Sequence, residues 1–234
     1  KLEYRSDNNK ITVNESGKVK VAANYTGKAE IQITASDENY ETATCTITVK
    51  ITQAANTITA SNIKKTYSSK EQTVSLKVKR KGTGKITYKS NVKNVKISSS
   101  GKVKIPAKFV GKVTVTVKVA AKGIYKAASK KITITVNPAG TTLSSVKNSA
   151  SKTITAAWKR NKQVSGYEIQ YSTNKKLTSG NKTVRVTKNS ITSQKLKNLK
   201  KGKTYYVRIR TYKTVSGKKY YSDWSAVKSV KVSK

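Results

Sequence analysis

From residue 111 to 119 the chain reads GKVTVTVKV, in which Val113, Val115, Val117 and Val119 alternate with Lys112, Thr114, Thr116 and Lys118. A period of two puts one set of side chains on each side of a pleated strand, so the valines predict a buried face and the lysines and threonines a wet one. GKVKI (101–105) alternates in the same way, and so does ATCTITVKI (43–51), where Ala43, Cys45, Ile47, Val49 and Ile51 share a face. Gly17, Gly27, Gly101 and Gly111 stand between such runs and mark turns. Short strands at close spacing predict an all-β chain of antiparallel sandwiches.

The pattern repeats. Residues 2–33 align without a gap on residues 86–117 at an offset of 84, with Leu2 on Ile86, Tyr4 on Tyr88, Ser6 on Ser90, Gly17 on Gly101 and Gly27 on Gly111. Further on, YETATCTITV (40–49) is similar to YKAASKKITITV (125–136), which sets Cys45 opposite Ile132. A period of this length is one domain rather than a solenoid unit. VNPAG (136–140) reads as a short linker, and the remainder changes pattern. Residues 55–85, with strand candidates NTITA and TVSLKVK, have no counterpart ahead of Leu2. The first sandwich is therefore expected to lack about two strands. Each withholds two or three inward residues worth ~1.5–3 kcal/mol apiece, against a domain stability of ~5–15 kcal/mol. Those strands are expected to come from upstream residues or, by strand addition, from another chain.

On these residues the first two units (1–52 and 53–138) resemble the bacterial immunoglobulin-like domains of surface adhesins and cell-wall proteins, group 2 type. The shared pattern is Y-x-S, then V-x-V, G-K-V-x-V, a second glycine with alternating apolar positions, and a final Y…I-T-V. The third unit (139–234) is similar to a fibronectin type III domain along its whole length, through TITAAWK, GYEIQYS, KTVRVT, LKKGKTYYVRIR and YYSDWSAV. That resemblance implies a buried Trp158 on the second strand and inward Tyr167 and Ile169 on the third. It implies an inward set of Tyr205, Val207, Ile209 and Thr211 on the sixth, with Tyr205 as a corner tyrosine whose hydroxyl bonds back to the chain. The expected fold is three tandem Ig-like/fibronectin type III β-sandwiches, the first lacking its N-terminal strands. The families imply an extracellular module at the surface of a Gram-positive bacterium, acting as a stalk, spacer or fibre segment.

Composition narrows the chemistry. The 234 residues contain no histidine and a single cysteine, Cys45. Ser-His and Cys-His pairs, His-ligated zinc and an intrachain disulfide are thereby excluded. The remaining Lys, Ser, Thr, Tyr and carboxylates form no recognisable catalytic constellation, so neither an enzyme nor a cofactor is expected. Cys45 is expected to be a small buried apolar residue. No apolar run approaches the ~18 residues of a membrane span, so no membrane insertion is expected. With no methionine and no remaining leader, the chain reads as a processed or excised piece.

Charge is the loudest feature: 50 Lys and Arg against 10 Asp and Glu, for a net +40. It is unevenly placed. Residues 1–52 are neutral, with seven of each sign, whereas 53–138 hold twenty bases and one acid and 139–234 hold twenty-three and two. Lysine outnumbers arginine 44 to 6. Lysine is a hydrated point charge, so a lysine coat suits diffuse attraction to an anionic wall polymer or glycan more than a shaped pocket. Lys102, Lys104, Lys108, Lys112 and Lys118 are the candidate polyanion-binding set, against the alternative of a solvated coat. Nucleic acid is disfavoured, because most of the thirteen tyrosines sit at strand positions that belong to a core.

Two further clusters carry chemistry in principle. Arg208 and Arg210 face outward on the sixth strand of the last unit, and SDWS begins the neighbouring strand, so Trp224 is placed to lie over both guanidinium groups. Asp37, Glu38 and Glu41 offer hard oxygens, but their spacing matches no defined calcium loop and they read as a solvated turn. An autocatalytic Lys–Asn cross-link needs an inward acid, and Glu30 and Glu168 both alternate outward.

Overall fold

A computed structural model describes residues 1–233, and among them every regular element is a β-strand. In chain order these are β1 (Leu2–Ser6), β2 (Ile11–Val13), β3 (Val19–Val21), β4 (Gly27–Asp37) and β5 (Tyr40–Ile51) in the first stretch. A second stretch carries β6 (Ile58–Thr59), β7 (Ile63–Thr66), β8 (Gln72–Ser75), β9 (Lys79–Arg80), β10 (Ile86–Ser90), β11 (Lys96–Ile97), β12 (Lys102–Ile105), β13 (Gly111–Val119) and β14 (Ala128–Asn137). The last carries β15 (Leu143–Ala150), β16 (Thr153–Trp158), β17 (Gly166–Ser172), β18 (Lys182–Val186), β19 (Ser193–Leu196), β20 (Thr204–Val215), β21 (Lys218–Tyr221) and β22 (Lys228–Lys231). Each sheet draws its strands from one stretch alone. No helix among the described residues is long and apolar enough to cross a membrane.

The second stretch closes on itself. A four-stranded sheet in the order β10-β13-β14-β7 faces a three-stranded sheet in the order β11-β12-β8. The predicted valine face of β13 is fully buried, and Val113, Val115 and Val117 meet Val103 and Ile105 from β12 in one core with Ile132, Ile134 and Val136 from β14. Lys112 and Lys118 stay exposed on the other side. The sequence pattern of residues 55–85 anticipates two strands; the chain forms four there, because short β7 and β9 also find partners in β14 and β6.

The repeat holds down to single hydrogen bonds. Asp7 Oδ1 accepts from the Glu30 amide at 2.8 Å, and Asn91 Oδ1 accepts from the Thr114 amide at 2.7 Å, both at the offset of 84. Gly17 and Gly101 adopt φ +79° and +75°, and a Cβ there would come within 3.0 Å of the Tyr4 ring or 2.9 Å of the Tyr88 hydroxyl. Only glycine satisfies both the left-handed backbone and that close approach.

The first stretch differs in one respect. β1, β4 and β5 form a sheet equivalent to β10-β13-β14, but no described strand lies beside β5 where β7 lies parallel beside β14. The facing sheet is reduced to the β2–β3 pair. Its buried apolar residues are Ile11, Ala29 and Ile31.

This corrects the expectation for Cys45, which is exposed. Two causes combine. Cross-strand register places Ile33 against Cys45 and Val117 against Lys130, so the structural counterpart of Cys45 is Lys130 and not Ile132. Ile132 corresponds instead to Ile47, since Val115 pairs with Ile132 and Ile31 with Ile47. Even that inward position is uncovered: Ile47 is 51% exposed and Ile132 1%. β7 and β8 have no counterpart among the described residues of the first stretch, which accounts for the difference.

The third stretch forms a complete sandwich, with β15-β16-β19 packed against β18-β17-β20-β21 and with β22 also pairing with β20. Trp158, Tyr167, Ile169, Tyr205, Val207 and Ile209 lie in its core as the resemblance implied. Thr211 is buried as well. The Tyr205 hydroxyl accepts a hydrogen bond from the Lys200 amide at 3.0 Å, which ties β20 to the turn before it.

Equivalent isoleucines thus predict unequal effects. Ile132→Ala should lower the urea-unfolding stability of the second stretch by ~2–5 kcal/mol, the cost of a core cavity. Ile47→Ala should change stability by only ~0.5 kcal/mol, as expected of a residue with little packing to lose.

Candidate functional site

The five candidate lysines do not form one patch. Lys102 and Lys104 alternate with buried Val103 and Ile105 on β12, whereas Lys112 and Lys118 alternate with buried valines on β13 in the opposing sheet. Their side chains therefore leave the sandwich from its two outer faces. Lys108 sits between them in a turn with φ 62°, its amide bonded to the Ser68 carbonyl. Lys104 is engaged by Glu71 at 3.3 Å. Alternation along a strand could not show this split, since it says which residues face outward but not which sheet they leave.

Asp37, Glu38 and Glu41 lie exposed where β4 turns into β5, and Asp37 Oδ1 accepts from the Asn39 amide at 3.1 Å. Among the described residues no three His, Cys, Asp or Glu side chains gather in a way that could hold a metal ion.

The outer face of the third stretch is built with more care. Arg208 and Arg210 alternate with the inward set on β20, and Trp224 lies over both, 4.7 and 4.3 Å from its ring centre to the guanidinium carbons. Arg210 also stacks on Tyr221 at 4.1 Å. Below them, β17 brings Gln170 opposite Arg208 and Glu168 opposite Arg210. Gln170 Oε1 accepts from Arg208 Nε at 2.8 Å, and Glu168 Oε1 accepts from Arg210 Nε at 2.9 Å. From the other side, Arg185 on β18 donates to Glu168 Oε2 at 3.0 Å.

Glu168 faces away from the sandwich core, in line with its alternation, yet it is only 4% exposed. The arginines and the aromatic rings cover it. The hydrogen-bonded cations that flank it offset the cost of burying a carboxylate, Arg185 among them through its bond to Oε2. That hydrogen bond raises the pKa of Arg185, while burial, and then the charge of Arg210, lowers that of Arg208. The sequence held a signal for this ladder: an acid on one strand with two arginines spaced by two on a neighbouring one. The part played by Arg185 needed the tertiary pairing of β17 with β18.

Both joints between stretches are bonded into their neighbours. Ile51 pairs with Gly27, and after Thr52 the chain runs along the 122–126 loop. There Gln53 Nε2 donates to the Gly123 carbonyl at 2.9 Å, and the Ala54 amide donates to that of Ile124 at 2.7 Å. At the second joint the Asn137 carbonyl accepts from the Tyr67 amide at 2.7 Å. Two residues later the Ala139 carbonyl accepts from Thr211 Oγ1 at 2.7 Å and from Asn161 Nδ2 at 2.9 Å. Pro138, buried and with its φ fixed by the ring, is the one residue between these anchors.

Residues 137–228 match the fibronectin type III domain family. Comparison with curated protein sequences finds no match. Among solved structures, the chain is similar to the FN1-FN3 domains of chicken CNTN1, with 19% identity, 88% of this chain and 76% of that one covered, and a TM-score of 0.35. It is also similar to a crystal structure of domains from titin, with 12% identity, 100% and 88% coverage, and a TM-score of 0.33. The last stretch of the chain is a fibronectin type III domain, and the ladder above lies on its outer face.

The ladder should carry stability. Trp224→Ala removes two cation–π contacts of ~0.5–1 kcal/mol each. It should therefore cost ~1–2 kcal/mol in fluorescence-detected urea unfolding. Glu168→Ala strips charged hydrogen bonds from Arg185 and Arg210 and should cost ~1.5–3 kcal/mol by the same measurement.

Proposed function

We propose that the chain is a non-enzymatic extracellular module, a spacer or adhesion stalk in a surface protein of a Gram-positive bacterium. In this reading the first two stretches are bacterial immunoglobulin-like domains, followed by the fibronectin type III domain. The single observation that carries the reading is the anchoring of both joints, with one residue, Thr52 or Pro138, between the bonds of one stretch and those of the next. A spacer must hold its ends apart, and joints that leave so few free dihedrals restrict bending. The lysine excess fits a solvated coat on such a rod. It sits on outward strand faces, where it does not conflict with the apolar ladder within.

A specific observation favours a second reading, a strand-complemented subunit of a surface filament. β5 is a 12-residue edge strand that carries exposed Ile47 and Tyr40, and its counterpart β14 is closed by parallel β7. An open apolar edge of this length accepts an added strand readily.

Small-angle X-ray scattering of the intact chain tests the spacer. The second and third stretches repel each other through their like charge, and salt screens that repulsion. Anchored joints predict an elongated profile that is unchanged from low to high salt, and a Gly-Ser insertion after Pro138 should make it salt-sensitive. A native chain that compacts as salt rises would overturn the reading. Sedimentation tests the alternative: concentration-dependent association that Ile47→Lys abolishes is the expected result for a filament subunit, and a strictly monomeric chain would exclude self-addition.

A further inference from the structure

The joint between the second and third stretches forms the floor of an open cleft of about 1160 Å³. Lys64 and Lys65 of β7 line one wall, and Lys159, Arg160 and Lys162 of the loop after β16 line the other, with Asp223 as the one acid. None of these residues belongs to the lysine set singled out by the strand pattern. Trp224 lines the same cleft, held over Arg208 and Arg210.

The loop that carries three of the cations is fixed. The Lys159 amide donates to the Thr142 carbonyl at 3.2 Å, and the Asn161 amide donates to the Tyr167 hydroxyl at 2.9 Å. Asn189 Nδ2 reaches the Lys162 carbonyl at 3.3 Å. β7 on the facing wall is held by its parallel pairing with β14. Two basic walls set on ordered backbone and joined through Pro138 form a groove whose charges need not be gathered at the moment of binding, which lowers the ordering cost.

We propose that this cleft binds a segment of an acidic polysaccharide. The cations answer carboxylate or sulfate groups. Gln72, Thr141 and Thr142 line the same surface with side-chain oxygens able to accept from sugar hydroxyls, and Trp224 adds an apolar ring to the lining. Nucleic acid is the poorer fit. Stacking of successive bases needs a series of aromatic platforms, and the cleft has one. The cleft binds its ligand whether or not the chain serves as a spacer.

The test measures binding of the full chain to polygalacturonate at physiological salt, with dextran, inorganic polyphosphate and single-stranded DNA as comparison probes. Two variants each remove four charges: Lys64→Gln/Lys65→Gln/Lys159→Gln/Lys162→Gln in the cleft, and Lys102→Gln/Lys104→Gln/Lys112→Gln/Lys118→Gln on the outer faces. The cleft variant should lose polygalacturonate affinity ~10-fold or more, and the outer-face variant ~2-fold or less. Should the cleft variant melt early, Lys65→Glu/Lys162→Glu, on two exposed side chains, replaces it with the same expectation. Equal losses in both variants would overturn the site in favour of a diffuse coat. Absence of polygalacturonate binding would also overturn the proposal, as would tighter binding of polyphosphate or DNA.

Discussion

A β-sheet with one apolar face is stable only when a second layer covers that face. The three stretches of this chain meet that constraint to different degrees, and most of their differences follow from it. In the second stretch β12 and β8 cover the valine ladder of β13, and β7 closes the edge of β14. In the fibronectin type III domain the layer of β15, β16 and β19 covers β17 and β20. In the first stretch the equivalent sheet faces only a two-stranded pair. Ile11, Ala29 and Ile31 find cover there, whereas Ile47 remains open at a position that its repeat partner buries completely. One sequence pattern gives a core residue in one place and an exposed edge in the other.

Outward faces carry the charge, and they too are not alike. Over most of the molecule lysine stems leave alternating strand positions toward water, where they neither assist nor oppose the core. The outer face of the fibronectin type III domain is different, because Glu168, Arg185, Arg208, Arg210, Tyr221 and Trp224 enclose one another there. A buried acid in so basic a chain is held by specific hydrogen bonds rather than by mean charge. The same corner of the domain presents Trp224 to the joint with its neighbour. An ordered outer face thus adjoins the basic cleft, beside a joint held by hydrogen bonds on both of its sides.

Much of the fold was legible in the sequence because its information is local. Alternation named the inward residues of β13 and β20, the offset of 84 carried over to matching glycines and matching side-chain hydrogen bonds, and the Tyr205 hydroxyl bonds back five residues. Trp224 could be placed over Arg208 and Arg210 because its segment follows β21 and runs on along β20, a short way past one turn. Cys45 was misplaced for two non-local reasons: the cross-strand register differs by two residues from the one the similar segments suggest, and the covering layer is only two strands wide. The five candidate lysines are divided between two faces for a related reason, since adjacent strands of the sequence entered opposing sheets.

What the sequence by itself determined is therefore the strand character, the inward and outward faces, the repeat and the absence of histidine-based chemistry, all of which depend on residue type and short spacing. Only the tertiary structure decided which outward residues meet. It brought Glu168 between two arginines from different strands, left the outer edge of β5 without a described neighbour, and set Lys64 and Lys65 across a cleft from a loop nearly a hundred residues away. Contacts of that kind depend on sheet order and on the direction taken at Pro138. A period of two encodes neither.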